Sequence, residues 1–343
     1  MRLPIGLSVS LAMCLLTTHA TDLVADEREQ MKEDVFARTL QDPMSHGGGF
    51  EWYLPVDEDC RLYIREFGDP EAETWIGLHG GFGIEHAYLR QALAGLERDF
   101  RIVLYDQRGS LRSDCDVSTI SVQAHVDDLD ALRKELGLER VNLIGHSAGG
   151  YLAARYRAEH AEVTGKLVLL APANLKRPLD DEEEALMVPR DEAVQRLQQR
   201  DRVQAELKRR GLDGDELSAR ERSMRWRVNF SSVNLYDISQ WPRMQGGMFY
   251  AVEAGQAAGR DMMESQPWNY IDDLLGHHES VSVIMGDHDF NDFGGKLYSH
   301  WFAGSDSVNY VLLENAGHNA WVDQPAAFRA ALLEGMKAQA VSH

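Results

Sequence analysis

Ten residues, Val141-Asn142-Leu143-Ile144-Gly145-His146-Ser147-Ala148-Gly149-Gly150, constrain this chain more than any other stretch. The apolar run reads as a short buried strand, and a helical pattern from Tyr151 to His160 begins directly after it. Between them lies G-x-S-x-G. Its glycines permit a strand-to-helix turn too tight for flanking side chains, which leaves the serine on a strained corner with its oxygen exposed. An ordinary Gly/Ser turn carries the same pattern. The strand before it and the helix after it are what point to a nucleophilic Ser147.

A serine hydroxyl attacks only when a base takes its proton, and that base must be oriented by a third group. After such an elbow the partners follow in the order Asp or Glu, then His, at the C-terminal ends of later strands. Two apolar runs end suitably. Val281 to Met285 leads into Gly286-Asp287-His288-Asp289, and Val308 to Leu313 leads into Glu314-Asn315-Ala316-Gly317-His318-Asn319. We assign His318 as general base and then general acid, and Asp289 as the group that orients it. Asp287 is the alternative acid, and His288 reads as a loop histidine. The oxyanion needs two donors. One is the Ala148 N–H; the other belongs to Gly77-Leu78-His79-Gly80-Gly81-Phe82-Gly83, where we choose Gly81 with Phe82 as the alternative. His79 reads as a brace for that loop. No Cys/His spacing forms a zinc site, and this chemistry asks for no metal or organic cofactor.

Around the elbow the chain alternates strands and helices. Phe50 to Val56 and Arg61 to Phe67 form an antiparallel hairpin at an edge of the main sheet. Strands follow at Thr74 to Leu78, Phe100 to Tyr105, Val141 to Ile144 and Lys166 to Leu170, with helices expected over Ile84 to Arg98 and Val122 to Leu136. Continuous apolar strands between amphipathic helices imply a parallel sheet covered on both faces. From Pro172 to about Leu275 no strand is expected. Helical blocks at Asp191 to Arg210 and Glu216 to Val228 precede a Met- and aromatic-rich part, Trp241 to Trp268. Strands then resume, and a helix over Pro325 to Lys337 closes the chain. The block at 172–275 therefore reads as an inserted helical lid on a core made of 50–171 and 276–343.

Met1-Arg2, an uncharged apolar run from Leu3 to Leu16 and the small residues of Thr18-His19-Ala20 read as a secretory signal over residues 1–20. The run is too short for a comfortable membrane span. The expectation is a periplasmic or secreted protein, with lipid anchoring at Cys14 as a variant. Residues 21–49 read as an N-terminal arm with one helix, Asp26 to Leu40. Cys60 and Cys115 remain, either bridged or as two separate thiols. A net charge of −20 argues against a nucleic-acid partner, since phosphate binding needs a basic surface.

Two motifs carry a family resemblance. His79-Gly80-Gly81-Phe82-Gly83 is similar to the His-Gly-Gly-Pro-Gly signature of proline iminopeptidases, and Asp106-Gln107-Arg108-Gly109-Ser110-Leu111-Arg112-Ser113 resembles their Asp-Gln-Arg-Gly-Ser-Gly-Arg-Ser. The likeness runs from about Phe50 to Lys337. It implies an α/β-hydrolase fold, with a mostly parallel central sheet, helices on both faces and an inserted helical cap. It also implies a serine peptidase that releases N-terminal residues, proline above all, from small peptides, with 106–113 mainly architectural. Four departures stand out. Phe82 replaces a proline and Leu111 a glycine. The elbow reads Gly-His-Ser-Ala-Gly, where those peptidases have Gly-Gly-Ser-Trp-Gly. The stretch Met224 to Phe230 carries arginines, where the family binds the substrate amine with cap glutamates. These departures support a second expectation, an esterase, lactonase or amidase acting on a small non-peptide acyl substrate. The complete triad order argues against a non-catalytic binding protein. Phe82, His146, Trp226 and Arg227 are the expected substrate contacts.

Overall fold

The computed structural model describes residues 49–197, 200–246 and 249–338 of the 343. The expected signal, Cys14 and the helix of the N-terminal arm lie outside the described residues. The hairpin strands are β1 (Phe50–Asp57) and β2 (Cys60–Phe67), followed by β3 (Thr74–Leu78), α1 (Ala87–Leu93), β4 (Arg101–Tyr105) and α2 (Val122–Glu135). The elbow joins β5 (Val141–His146) to α3 (Ala148–Glu159), and β6 (Thr164–Leu170) comes next. The inserted segment holds β7 (Lys176–Arg177), α4 (Asp181–Leu186), α5 (Arg190–Leu197), α6 (Arg200–Arg209), α7 (Ala219–Asn234), α8 (Val252–Glu264), β8 (Trp268–Asn269) and α9 (Ile271–Leu275). The chain closes with β9 (Val281–Gly286), α10 (Lys296–Phe302), β10 (Val308–Leu313), α11 (Ala320–Asp323) and α12 (Pro325–Lys337).

Eight strands form one sheet in the order β1-β2-β4-β3-β5-β6-β9-β10. The hairpin pairs antiparallel within itself and with β4; all other pairings are parallel. Strand alternation divides the core into two layers. Ile76, Leu143, Leu167 and Val283 face α2 and α3, while Trp75, Ile144, Val168 and Ile284 face α1 and α12. A fully buried side chain of this size contributes about 1.5–3 kcal/mol, so both layers stabilise the sheet that carries the site.

Two expectations change. The helix expected over Ile84 to Arg98 starts only at Ala87 and ends at Leu93, because Gly95 turns the chain at φ +84° before a short 3-10 turn. The inserted segment, expected to be free of strands, contains the two-residue antiparallel pair β7–β8. That segment packs on the loops at the C-terminal strand ends. Ala251 N–H donates to the Gly83 carbonyl at 2.8 Å, and Asn319 N–H donates to the Asn234 carbonyl at 2.9 Å. Cys60 and Cys115 are bridged, tying the start of β2 to the loop after β4 across 55 residues. Among the described residues no helix is long and apolar enough to cross a membrane.

Several histidines are enclosed by this packing. Burial holds His79 at a pKa of about 4, and burial followed by repulsion from Arg108 holds His125 at about 3. His125 stacks on Phe82 at 5.1 Å, and among the described residues neither of its ring nitrogens has a hydrogen-bond partner. An unfolded chain protonates each ring near pH 6.5, whereas the folded chain does so only near pH 4 or below. Their contribution to stability is therefore intact above pH 6.5 and is lost as the pH falls from 6.5 toward 4. His125→Phe keeps the stack and removes one such group. Urea unfolding at pH 7 and pH 5 should show the stability difference between the two pH values shrinking by about 2 kcal/mol in the variant. An unchanged difference would contradict this assignment.

Candidate active site

Ser147 adopts φ +55° and ψ −118°, a conformation that costs a non-glycine residue about 1–3 kcal/mol. The surrounding backbone holds it there. Its N–H donates to the Leu170 carbonyl at 2.9 Å, and its own carbonyl accepts the Ala173 N–H at 2.9 Å. The approach is close enough to require glycine. A Cβ on Gly149 would lie 2.6 Å from the His79 carbonyl oxygen and nearer still to that of Leu78. Ala148 is the first residue of α3, where backbone N–H groups have no acceptor within the helix.

The loop after β9 brings Asp289 to His318. His318 Nδ1 lies 2.7 Å from Asp289 Oδ2, and both residues are buried. The other Asp289 oxygen accepts the Asn291 N–H at 2.7 Å, so the carboxylate cannot swing away. Asp287 faces elsewhere, accepting from the His288 ring at 2.6 Å and from the Ala316 N–H at 3.1 Å. His288 is a half-buried loop residue between Tyr236 and Phe293. With Nδ1 on the carboxylate, His318 keeps Nε2 for proton transfer.

The glycine-rich loop lies beside the elbow: a Cβ added to Gly80 would fall 2.7 Å from Ser147 Cβ. The Gly80 N–H is committed to the Tyr88 hydroxyl, which leaves Gly81 and Phe82 as the loop's candidate oxyanion donors. His79 braces the loop from beneath, as its Nε2 accepts the Gln107 N–H at 3.0 Å and its carbonyl accepts from the Gln107 side chain at 2.8 Å. The neighbouring residues are structural as well. Arg108 forks onto the buried Asp128 carboxylate at 2.6 and 2.7 Å. Asp106 accepts from the His86 ring at 2.6 Å and from the His86 and Arg112 N–H groups. Burial pushes the Asp106 carboxyl up, but the facing His86 ring and Arg112 outweigh it and hold it below the usual carboxylate range.

Glu85, His86 and Asp106 bring three metal-ligating atoms within 4.8 Å of one another. Those atoms are engaged internally, with Glu85 accepting the Ala87 N–H at 2.6 Å and the Arg112 guanidinium 3.5 Å from Asp106. A cavity of about 560 Å³ between the β1–β2 turn and α2 is lined by Asp57, Glu58, Asp59, Arg108, Asp116 and Asp128 and contains no triad residue.

The expected substrate contacts are placed differently from one another. Phe82 turns inward and is buried in the core against His125, since a benzyl side chain on this loop gains more from α2 than from water. The His146 ring is enclosed. Its Nδ1 lies 2.7 Å from the Tyr88 hydroxyl and its Nε2 3.2 Å from the His318 carbonyl. Trp226 stacks on Phe230 at 5.0 Å and Arg227 lies over Trp241 at 5.9 Å, both on α7. Three side chains at the site had no role in the sequence reading. Phe290 packs on the His318 ring at 4.4 Å, and Trp321 contacts both Tyr88 and His146. Phe290 and Trp321 follow triad residues closely in the chain, a signal available beforehand; Tyr88 offered none.

Comparison with known proteins bears on the fold. The profile of the α/β hydrolase fold family matches residues 76–325. A proline iminopeptidase from Xylella fastidiosa is 34% identical over 137 residues, 39% of this chain and 42% of that protein. The chain thus matches less than half the length of this curated relative. Among solved structures, a proline iminopeptidase-related protein from Thermus thermophilus shares 24% identity at a TM-score of 0.56, covering 85% of this chain and 98% of that one. Naproxen esterase from Bacillus subtilis shares 15% at 0.57, covering 88% and 97%. The elbow, the sheet order and the matched profile lead to one conclusion: this chain belongs to the α/β-hydrolase fold family.

Proposed function

We propose that this enzyme is an acyl-enzyme serine hydrolase acting on small carboxylic esters or related non-peptide acyl substrates. The reading is carried by the Asp289–His318 pair, set on the same sheet edge as the Ser147 elbow. Ser147 Oγ attacks the acyl carbon while His318 Nε2 takes its proton. The oxyanion of the tetrahedral intermediate is held by the N–H groups of Ala148 and Gly81. His318 then protonates the leaving group, an acyl-Ser147 ester remains, and a water deprotonated by His318 releases the acid. The inserted segment, as a cap, selects the acyl group.

A second reading, release of N-terminal residues from small peptides, is favoured by the 34% identity to a proline iminopeptidase. It requires a carboxylate for the free amine. The cap glutamates withdrawn from solvent among the described residues are already engaged. Glu183 accepts from Lys176 and Trp301, Glu206 from Arg209, Arg210 and Trp241, and Glu221 from Ser218. Arg177 and Arg227, in contrast, are half-buried, and burial lowers the pKa of both. Half-buried cap cations of this kind favour carbonyl- or carboxylate-bearing substrates over ammonium groups. We further propose export, supported by the Cys60–Cys115 disulfide, which persists in an oxidising compartment. Sequencing the N-terminus of the protein recovered from its native cell should then begin near Thr21; an intact Met1 would contradict export by signal cleavage.

Short-chain aryl esters should be turned over with a kcat/KM at least tenfold above that for prolyl or other aminoacyl arylamides; the reverse order would establish the aminopeptidase reading. Asp289→Asn should lower kcat by about 10⁴ with the fold intact, because the wrong imidazole tautomer then faces Ser147. Near-normal turnover in that variant would remove Asp289 from the triad.

A further inference from the structure

A continuous hydrogen-bonded path runs behind the triad, through residues that take no part in the proton transfers. The Gly80 N–H donates to the Tyr88 hydroxyl oxygen. Tyr88 Oη lies 2.7 Å from His146 Nδ1, and His146 Nε2 lies 3.2 Å from the His318 carbonyl oxygen. A carbonyl can only accept, so Nε2 carries the ring proton. Nδ1 is then the acceptor, and the Tyr88 O–H donates to it. Every donor and acceptor along the path is used once, in one direction, and all three side chains or loops are buried. The Trp321 indole seals the path, stacking on Tyr88 at 5.9 Å and meeting the His146 ring edge-on at 5.0 Å.

The path joins the three moving parts that acyl transfer must align. Gly80 immediately precedes Gly81 and lies against Ser147 Cβ. His146 immediately precedes Ser147. The His318 ring is held between His146, at 4.5 Å between ring centroids, and Phe290, at 4.4 Å. We infer that Tyr88 and His146 are positioning residues, which set the oxyanion loop, the nucleophile and the His318 main chain in one register. This inference rests on the triad reading given above. A neutral bridge suits the position, because a charged ring at 4.5 Å would oppose the imidazolium that forms on His318 during each transfer. A displacement of about 1 Å among such groups lowers rates about 100-fold while substrate binding, set mainly by the cap, is little affected.

The test uses the full chain and a short-chain aryl ester. Tyr88→Phe deletes the hydroxyl and keeps the stack on Trp321. His146→Leu removes both hydrogen bonds, whereas His146→Gln retains a donor for the His318 carbonyl and an acceptor for Tyr88. Tyr88→Phe and His146→Leu should lower kcat about 10- to 100-fold with KM changed by less than about threefold. The double variant should be no worse than the weaker single one, as expected for members of one path. His146→Gln should recover at least half of the wild-type kcat. Should His146→Leu fail to fold, Tyr88→Phe and His146→Gln decide the matter through the same contrast. Wild-type kcat in folded Tyr88→Phe, a loss expressed only in KM, or a His146→Gln as impaired as Tyr88→Phe would overturn the inference. Ser147→Ala in the same assay separates the two readings. If it is inactive while Tyr88→Phe is fully active, the positioning role alone fails; if it keeps turnover, the triad reading fails and the positioning role with it.

Discussion

The helix that begins at Ala148 approaches β3 so closely that a Cβ on Gly149 would strike the carbonyl oxygens of Leu78 and His79. This contact sets the rest of the site. It leaves no room to relax the turn after β5, so Ser147 stays at φ +55° with its side chain above the strand ends. It also brings the glycine-rich loop after β3 against the elbow, with Gly80 beside Ser147. In the proposed mechanism, a single steric limit between α3 and β3 therefore positions both the nucleophile and the oxyanion donors. Asp289 and His318, proposed as the acid and the base, follow two further parallel strands, β9 and β10, that end on the same edge.

Beneath the loop 79–83 the protein places a set of buried, mutually bonded polar groups. Gln107 holds His79 from two directions, Asp106 gathers His86 and the Arg112 backbone, and Arg108 forks onto Asp128. Removing one partner of a buried pair such as Arg108–Asp128 leaves an uncompensated charge and costs about 3–5 kcal/mol. The segment 106–113 is thus the floor on which the loop 79–83 rests. Its role is support, since Asp106, Gln107 and Arg108 spend their hydrogen bonds on His86, His79 and Asp128.

Much of this arrangement was legible in the sequence, for physical reasons that can be named. Parallel strands buried on both faces must be nearly continuous apolar runs, so β3 to β6 and β9 were visible, while the half-buried edge strand β10 kept an apolar run; reactive groups belong just past their ends. That logic, joined to the chain order expected after such an elbow, led to Asp289 and His318. What escaped depended on contacts across the chain or on single residues. Gly95 cut short a helix whose apolar spacing continued past it. The inward turn of Phe82 depended on a stacking partner, His125, on another helix. The bridge between Cys60 and Cys115 spans 55 residues, and the Tyr88–His146–His318 path spans 58 and then 172. No local periodicity encodes such distances.

The central claim is that Ser147 is the nucleophile, activated by His318. A fluorophosphonate, which reacts only with an activated serine, tests it directly when the adduct is located by mass spectrometry of the digested protein. One adduct per chain is expected, on the peptide containing Ser147, formed by the wild type and absent when His318 is replaced by alanine. An adduct on any other residue, or equal labelling without His318, would contradict it.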